Sequence, residues 1–145
     1  MRPHAATQYD LQDIKGLLIT CGLPCQGLPD HPGAYLVVRD TAGMLGCACV
    51  EPYGSVAVLR AIAVAERGRR AGLGELLMEA LVSQVRQSGV QTLVLRSRDA
   101  SGYFMRLGFT PLEPAAVPPS VRGAPGFAAE GASGIDKDLL MQAEL

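Results

Sequence analysis

The run Arg67-Gly68-Arg69-Arg70-Ala71-Gly72-Leu73-Gly74 carries the strongest chemical signal in the sequence. It joins an apolar run, Val56 to Val64, to a helical pattern that starts at about Gly72. The first turn of a helix holds amide N–H groups without intrahelical partners and the positive end of the helix dipole, and glycines let an anion come close to that backbone. The ligand this chemistry suits is an anion such as a pyrophosphate. Residues 60 to 70 also hold four arginines against one glutamate, a local charge of +3. Two common phosphate loops fail on spacing. G-x4-G-K-[ST] requires a Lys after its last glycine, where Leu73 follows Gly72 and Glu75 follows Gly74, and G-x-G-x-x-G requires a glycine where Leu77 stands. What remains is R-x-x-G-x-G, on Arg69, Gly72 and Gly74.

The elements that must position this turn follow from periodicity. Leu73, Leu76, Leu77, Ala80, Leu81 and Val85 trace one face of a helix from about Gly72 to Ser88, with Gly89 where a C′ glycine belongs. Strands are expected over Val56 to Val64 and Thr92 to Arg96, so the helix completes a βαβ-like unit. Upstream, Thr7 to Asp10 reads as the start of a helix with Leu11, Ile14, Leu18 and Cys21 on one face, ending near Gly22. A Gly/Pro loop from Pro24 to Gly33 leads to strands over Tyr35 to Arg39 and Met44 to Val50, joined by a turn at Asp40-Thr41-Ala42-Gly43. A second turn is expected at Pro52-Tyr53-Gly54-Ser55. Downstream, Asp99 caps a short helix that ends at Gly108 and turns Ala100, Tyr103, Phe104 and Leu107 inward, and a strand follows over Phe109 to Leu112. Glu113 to Ser133 reads as a long loop that could cover a site, and Ile135 to Leu140 as a last strand.

Composition narrows the class. A chain of 145 residues that is 48% hydrophobic fits one domain, 1–145. Thirteen basic residues against fourteen acidic ones, a net charge of -1, argue against nucleic acid as a partner. No apolar run is long enough for a membrane span, and Met1-Arg2-Pro3-His4 does not open a secretory signal, so a cytoplasmic location is expected. The cysteines, at Cys21-x3-Cys25 and Cys47-x-Cys49, lack paired zinc spacing and read as reduced thiols with no metal. A soft-metal or metalloid site on Cys47, Cys49 and one of Cys21 or Cys25 is the alternative.

With Ala61-Ile62-Ala63-Val64 before it, the R-x-x-G-x-G turn resembles the acetyl-CoA signature of the GCN5-related N-acetyltransferases (GNAT). About 30 residues on, Tyr103-Phe104-Met105-Arg106-Leu107-Gly108-Phe109 is similar to the family's (F/Y)-Y-x-(K/R)-x-G-F helix end. The resemblance implies an α/β (α+β) fold, a mixed and mostly antiparallel central sheet flanked by helices, with acetyl-CoA at the splayed edge between the family's fourth and fifth strands. It implies a single GNAT acetyltransferase domain that acylates a small-molecule amine and allows a homodimer. The backbone of Ile62, Ala63 and Val64 would pair with the pantetheine arm, one N–H there serving the oxyanion of the tetrahedral intermediate. Amides from Arg70 through Ala71, Gly72, Leu73 and Gly74 to Glu75 would hold the pyrophosphate, with Arg69 adding positive charge. Glu51-Pro52-Tyr53-Gly54, Leu59-Arg60 and Pro118-Pro119-Ser120-Val121-Arg122 further resemble the arsenic-resistance-operon branch, which implies an amino-acid-like, arsenical or phosphinothricin-type acceptor.

Direct attack on a thioester needs a neutral amine, hence a base. Glu51 is the candidate. If Tyr53-Gly54 is the hairpin turn, Glu51 faces Val56, Cys49 faces Val58 and Cys47 faces Arg60, and Glu51, Cys49, Cys47 and Arg60 share one sheet face. Arg60 would then stand roughly 13 Å from Glu51, too far for an easy ion pair. A charge among apolar strand residues needs an anionic partner. Arg60 either binds a substrate carboxylate beside Cys49 or pairs with some other acid, and Glu51 is either the base or a solvated residue beside a turn. The family's thiolate-protonating tyrosine falls on Phe104, a departure. Tyr103 either takes that role through a shifted helix or is a wall residue. An acyl-CoA-binding sensor without turnover is the alternative function.

Overall fold

The computed structural model describes residues 2–23, 25, 27–125, 127 and 139–145. Its strands are β1 (His4–Ala5), β2 (Tyr35–Asp40), β3 (Gly43–Tyr53), β4 (Val56–Val64), β5 (Thr92–Ser97), β6 (Thr110–Pro111) and β7 (Leu139–Glu144). Its helices are α1 (Leu11–Thr20), α2 (Leu73–Gln87) and α3 (Ser101–Arg106). The strands form one mixed, mostly antiparallel sheet in the order β1-β2-β3-β4-β5-β7-β6, the α/β architecture expected from the sequence. Contacts divide the chain into two compact units, Met1–Val50 with Arg60–Ser83, and Glu51–Leu59 with Gln84–Leu145.

In the first unit, α1 buries Ile14, Leu17 and Leu18. Its entry differs from a hydroxyl cap. The Asp10 carboxylate accepts from the Thr7 amide at 2.8 Å and the Thr7 hydroxyl at 3.2 Å, and Arg39 of β2 donates to Asp10 and Asp13 at 2.7 Å each. Asp10 is 7% exposed, and the Thr7 amide, with Arg39, holds its carboxyl below the usual range against the effect of burial. β1, which the sequence reading missed, pairs with β2 through His4↔Val37 and Ala5↔Leu36. The β2–β3 hairpin turns at Thr41-Ala42 as expected, and its register sets Tyr35 opposite Cys49 and Val37 opposite Cys47.

Gly46 of β3 lies where chains approach closely. A Cβ there would meet Leu77 Cδ1 at 2.9 Å, and the Ala63 carbonyl and Val38 Cγ1 at 3.3 Å each. Only hydrogen lets β3 sit this close to β4 and α2.

In the second unit, β4 and β5 are parallel, with Val56↔Thr92, Ala57↔Leu93 and Val58↔Val94 in register. This is the strand, helix, strand unit expected from the sequence. α2 ends with Gly89 at φ +94° and a bond from the Val90 amide to the Val85 carbonyl, the terminator read from Gly89. Asp99 does not cap α3. The Ser97 hydroxyl accepts the Ala100 amide at 3.0 Å instead. The strand expected over Phe109 to Leu112 shrinks to β6, and the final strand, β7, runs later than Ile135 to Leu140, with residues 135–138 outside those described. β7 pairs antiparallel with both β5 and β6.

The segment from Glu113 onward is no open loop where it is described. Short 3-10 turns at Pro114–Ala116 and Pro119–Val121 fold it down, and Val117, Val121, Ala124 and Phe127 join Val56, Val58, Val94 and Leu112 in one apolar cluster. Phe127 is 0% exposed and therefore a core residue. Arg122 donates to the Ala115 carbonyl at 3.4 Å.

Candidate active site

Gly72 precedes α2 with φ +73°, a left-handed conformation that L side chains rarely adopt, and no atom lies within 4 Å of where its Cβ would be. Among the described residues, Leu76 is the first of α2 whose amide reaches a carbonyl of the preceding turn, that of Gly72, at 3.1 Å. The amides of Leu73, Gly74 and Glu75 are thus the first turn of a 15-residue helix, which an α-helix leaves without intrahelical partners.

The arginines around this turn are less free than their number implies. Arg67 donates to both Asp40 oxygens, at 3.0 and 2.9 Å, and to the Met44 carbonyl at 3.3 Å. This bidentate bond holds the Asp40 carboxyl down at about 2. Arg60 donates to the Gly27 carbonyl at 3.1 Å. Arg69, expected to add charge at the phosphates, turns its side chain back to the Val64 carbonyl (3.0 Å) and the Cys21 sulfur (3.6 Å). Arg70 is exposed and makes no ion pair or hydrogen bond among the described residues. Among the described residues Arg67 is thus paired with a carboxylate, Arg60 and Arg69 each bond a backbone carbonyl and keep their charge, and Arg70 stands exposed beside the turn.

β4 leads into this turn. Its ladder with β5 ends at Val58↔Val94, although Leu59 and Leu95 continue their strands in the same unit. Further along, the Ala65 amide donates to the Leu45 carbonyl at 2.8 Å, and the Ala63 carbonyl points at Gly46. Backbone groups alternate between edges along a strand, so Ile62 and Val64 present theirs to the other edge. Ala63, grouped with them in the sequence reading, faces β3.

The hairpin that carries Glu51 turns at Gly54-Ser55, with φ +74° at Gly54, because β3 runs through Tyr53 and β4 starts at Val56. A turn one residue later than expected moves every cross-strand partner by two: Glu51 comes opposite Val58, and Cys49 opposite Arg60. The 13 Å separation inferred between Glu51 and Arg60 does not survive this change. Cys47 and Cys49 are buried, Cys21 and Cys25 half-buried. Burial, with the Cys21 and Cys49 thiols nearby, pushes the Cys47 thiol up to about 12, so it is an inert group at neutral pH. Tyr35, 4% exposed, donates to the Pro29 carbonyl at 2.8 Å, and burial, then its neighbour Cys49, pushes its hydroxyl upward. Among the described residues no cluster of three or more His, Cys, Asp or Glu could hold a metal ion.

On α3, Phe104 stands between Tyr103 and Phe109 in edge-to-face contacts, with centroids at 5.3 and 5.7 Å. A phenylalanine so packed offers no proton. Tyr103 is half-buried, and Arg106 lies over its ring at 6.0 Å.

Residues 31–111 match the family model described as "Acetyltransferase (GNAT) domain". No curated protein sequence matches the chain significantly. Among solved structures, the chain is similar to N-acetylglutamate synthase from Neisseria gonorrhoeae complexed with coenzyme A and L-arginine, at TM-score 0.80 and 17% identity, over 99% of this chain but 32% of that one. It is similar over 100% of its length, and 99% of the other, to Rv2747 from Mycobacterium tuberculosis in complex with CoA and NLQ, at TM-score 0.77 and 17% identity. Ard1 from Thermoplasma volcanium matches at TM-score 0.73 and 18% identity, over 99% of this chain and 96% of that one. The chain thus spans about a third of the gonococcal synthase. At these identities the solved structures speak for the fold, whereas the family model covers more than half of the chain, from just before β2 through β6, and includes the whole R-x-x-G-x-G turn: the chain belongs to the GNAT acetyltransferase family.

Proposed function

We propose that the chain transfers an acetyl group from acetyl-CoA to the amine of a small, amino-acid-like molecule. One observation carries the reading: β4 runs straight into the turn before α2, where Gly72 at φ +73° opens a 15-residue helix, and among the described residues no pair of its ladder with β5 follows Val58↔Val94. The residues present fit the cosubstrate. Gly72 leaves open space at its Cβ position, the amides of Leu73, Gly74 and Glu75 suit a pyrophosphate, and Arg70 adds charge. Acetyl-CoA supplies an activated thioester. Ile62 and Val64 offer backbone groups to its arm, and Phe104 a flat apolar wall.

Glu51 accepts the proton of the incoming ammonium, directly or through water, and Arg60 anchors an acceptor carboxylate beside Cys49. Tyr103 is the nearest hydroxyl in sequence to the family's acid position, and a thiolate leaves readily enough that no acid is required. Support for an amino-acid acceptor comes from the similar structures that hold L-arginine or N-acetyl-glutamate with coenzyme A, and from the Glu51-Pro52-Tyr53-Gly54 and Leu59-Arg60 resemblance to arsenic-resistance acetyltransferases, whose acceptors include arsenical or phosphinothricin-type amino acids. Such a diffusible acceptor calls for no membrane anchor, and among the described residues no helix is long and apolar enough to cross one.

The test is thiol release from acetyl-CoA across glutamate, glutamine, arginine, a phosphinothricin-type and an arsenical amino acid, with the N-acetyl product identified by mass. Acceptor-dependent release is expected. A thermal shift with CoA but no release from any amine would leave the sensor, the reading that Phe104 favours. A ligand at about 100 times its dissociation constant adds about 2.7 kcal/mol of stability, so absence of a shift at millimolar CoA would overturn both.

A further inference from the structure

We infer that Cys21 is a positioning residue for the acetyl-CoA site, acting through Arg69 and the last carbonyl of β4; the inference rests on the function proposed above. Cys21 follows the last turn of α1 and is half-buried. Its thiol donates to the Val64 carbonyl at 3.6 Å, and its sulfur accepts from Arg69 Nη2 at 3.6 Å. Arg69 Nε donates to the same Val64 carbonyl at 3.0 Å. Cys21 thus closes a triangle with Val64 and Arg69, which lie 43 and 48 residues away, all within the first unit.

Two consequences follow for the cosubstrate. The Val64 carbonyl has two lone pairs, and Arg69 and Cys21 occupy both. It therefore accepts nothing from a bound arm, which is left with the Ile62 carbonyl and the Ile62 and Val64 amides. Arg69, in turn, is folded back along its own chain, so the segment from Val64 to Arg69 is held closed by a side-chain bond before any ligand arrives. Sulfur suits the corner it occupies because it both donates and accepts. Alanine can do neither, and serine can do both at slightly shorter reach. Arg69 is on this account a clamp on the turn, while the phosphate-facing charge belongs to Arg70.

The experiment is titration calorimetry of coenzyme A into the wild type, Cys21→Ala, Cys21→Ser, Arg69→Ala, the Cys21→Ala/Arg69→Ala double variant, and Cys25→Ala as a control. Cys21→Ala should weaken CoA about fivefold, the equivalent of one net hydrogen bond, with Cys21→Ser within about twofold of wild type and Cys25→Ala unchanged. With a working acceptor, KM for acetyl-CoA rises in parallel while kcat at saturation holds. In the Arg69→Ala background the Cys21 change should cost clearly less than it does alone, because part of its effect passes through the guanidinium. Arg69→Lys keeps the charge without the two-pronged donor set and should weaken CoA as much as Cys21→Ala, a test that stands even if the alanine variant fails to fold. Wild-type affinity in Cys21→Ala, full additivity in the double variant, or wild-type affinity in Arg69→Lys would overturn the inference alone. A wild type that binds no CoA would overturn the proposed function and this inference with it.

Discussion

Gly46→Ala places one methyl group at a point of close approach in the first unit. The new Cβ would stand 2.9 Å from Leu77 Cδ1 and 3.3 Å from both Val38 Cγ1 and the Ala63 carbonyl, where ordinary carbon contacts lie at about 3.5–4.0 Å. Leu77 and Val38 are each 0% exposed, so neither side chain has free space to move into, and the Ala63 oxygen belongs to the strand backbone. Overpacking of this kind costs about 1–3 kcal/mol, and the lower chain entropy of alanine returns about 0.5–1 kcal/mol. The net loss is at most about 2.5 kcal/mol and centred on about 1 kcal/mol, which for a chain of this size is a fall of about 2–4 °C in Tm per kcal/mol. Thermal and urea denaturation at neutral pH read it directly. The relaxation also pushes Ala63, and with it the Ile62 and Val64 edge, so CoA affinity should fall as well. A variant that melts at or above the wild-type temperature would refute the close approach on which this rests.

Gly72→Ala meets no atom but must hold φ +73°, and should lose about 1 kcal/mol in urea denaturation, with Gly72→Asn losing less because asparagine tolerates that region. The Asp40 carboxyl should titrate at about 2 by NMR, and Arg67→Ala should return the midpoint toward 3.8, the ordinary carboxylate value. Since the native value is the depressed one, the pair's contribution is present above pH 3.8 and is lost as pH falls through about 2. Asp10→Asn should cost about 1–3 kcal/mol at neutral pH, and the two proteins should converge in urea denaturation as acid protonates Asp10, first through the ordinary value of 3.8 and then through its lower native one.

Where the sequence reading succeeded, the signal was local. α2 shows in the spacing of Leu73, Leu77, Leu81 and Val85, all of them buried, because one apolar face repeats every three to four residues. Its terminator shows in Gly89, and the turn before it in Gly72, whose backbone conformation only glycine adopts easily. Where it failed, the deciding partner was distant. Pro52, Gly54 and Ser55 are all turn formers, so composition could not say which pair turns, and one residue moved every partner of Glu51, Cys49 and Cys47 by two. Glycine and proline made the segment after Glu113 read as a loop, yet Val117, Val121 and Phe127, spaced for no regular element, are pinned in a core by Val58 and Val94.

The site divides along the same line. The sequence by itself determined that a glycine-bearing turn opens a helix after an apolar strand, and with it the family, because orphan amides and left-handed glycines are properties of neighbouring residues. Only the tertiary structure decided which charges remain for a ligand. Asp40 lies 27 residues from Arg67, Gly27 33 residues from Arg60, and Cys21 48 residues from Arg69. Such pairings depend on which strands and helices fold together, and a hydrogen bond across so many residues leaves no periodic trace in the chain.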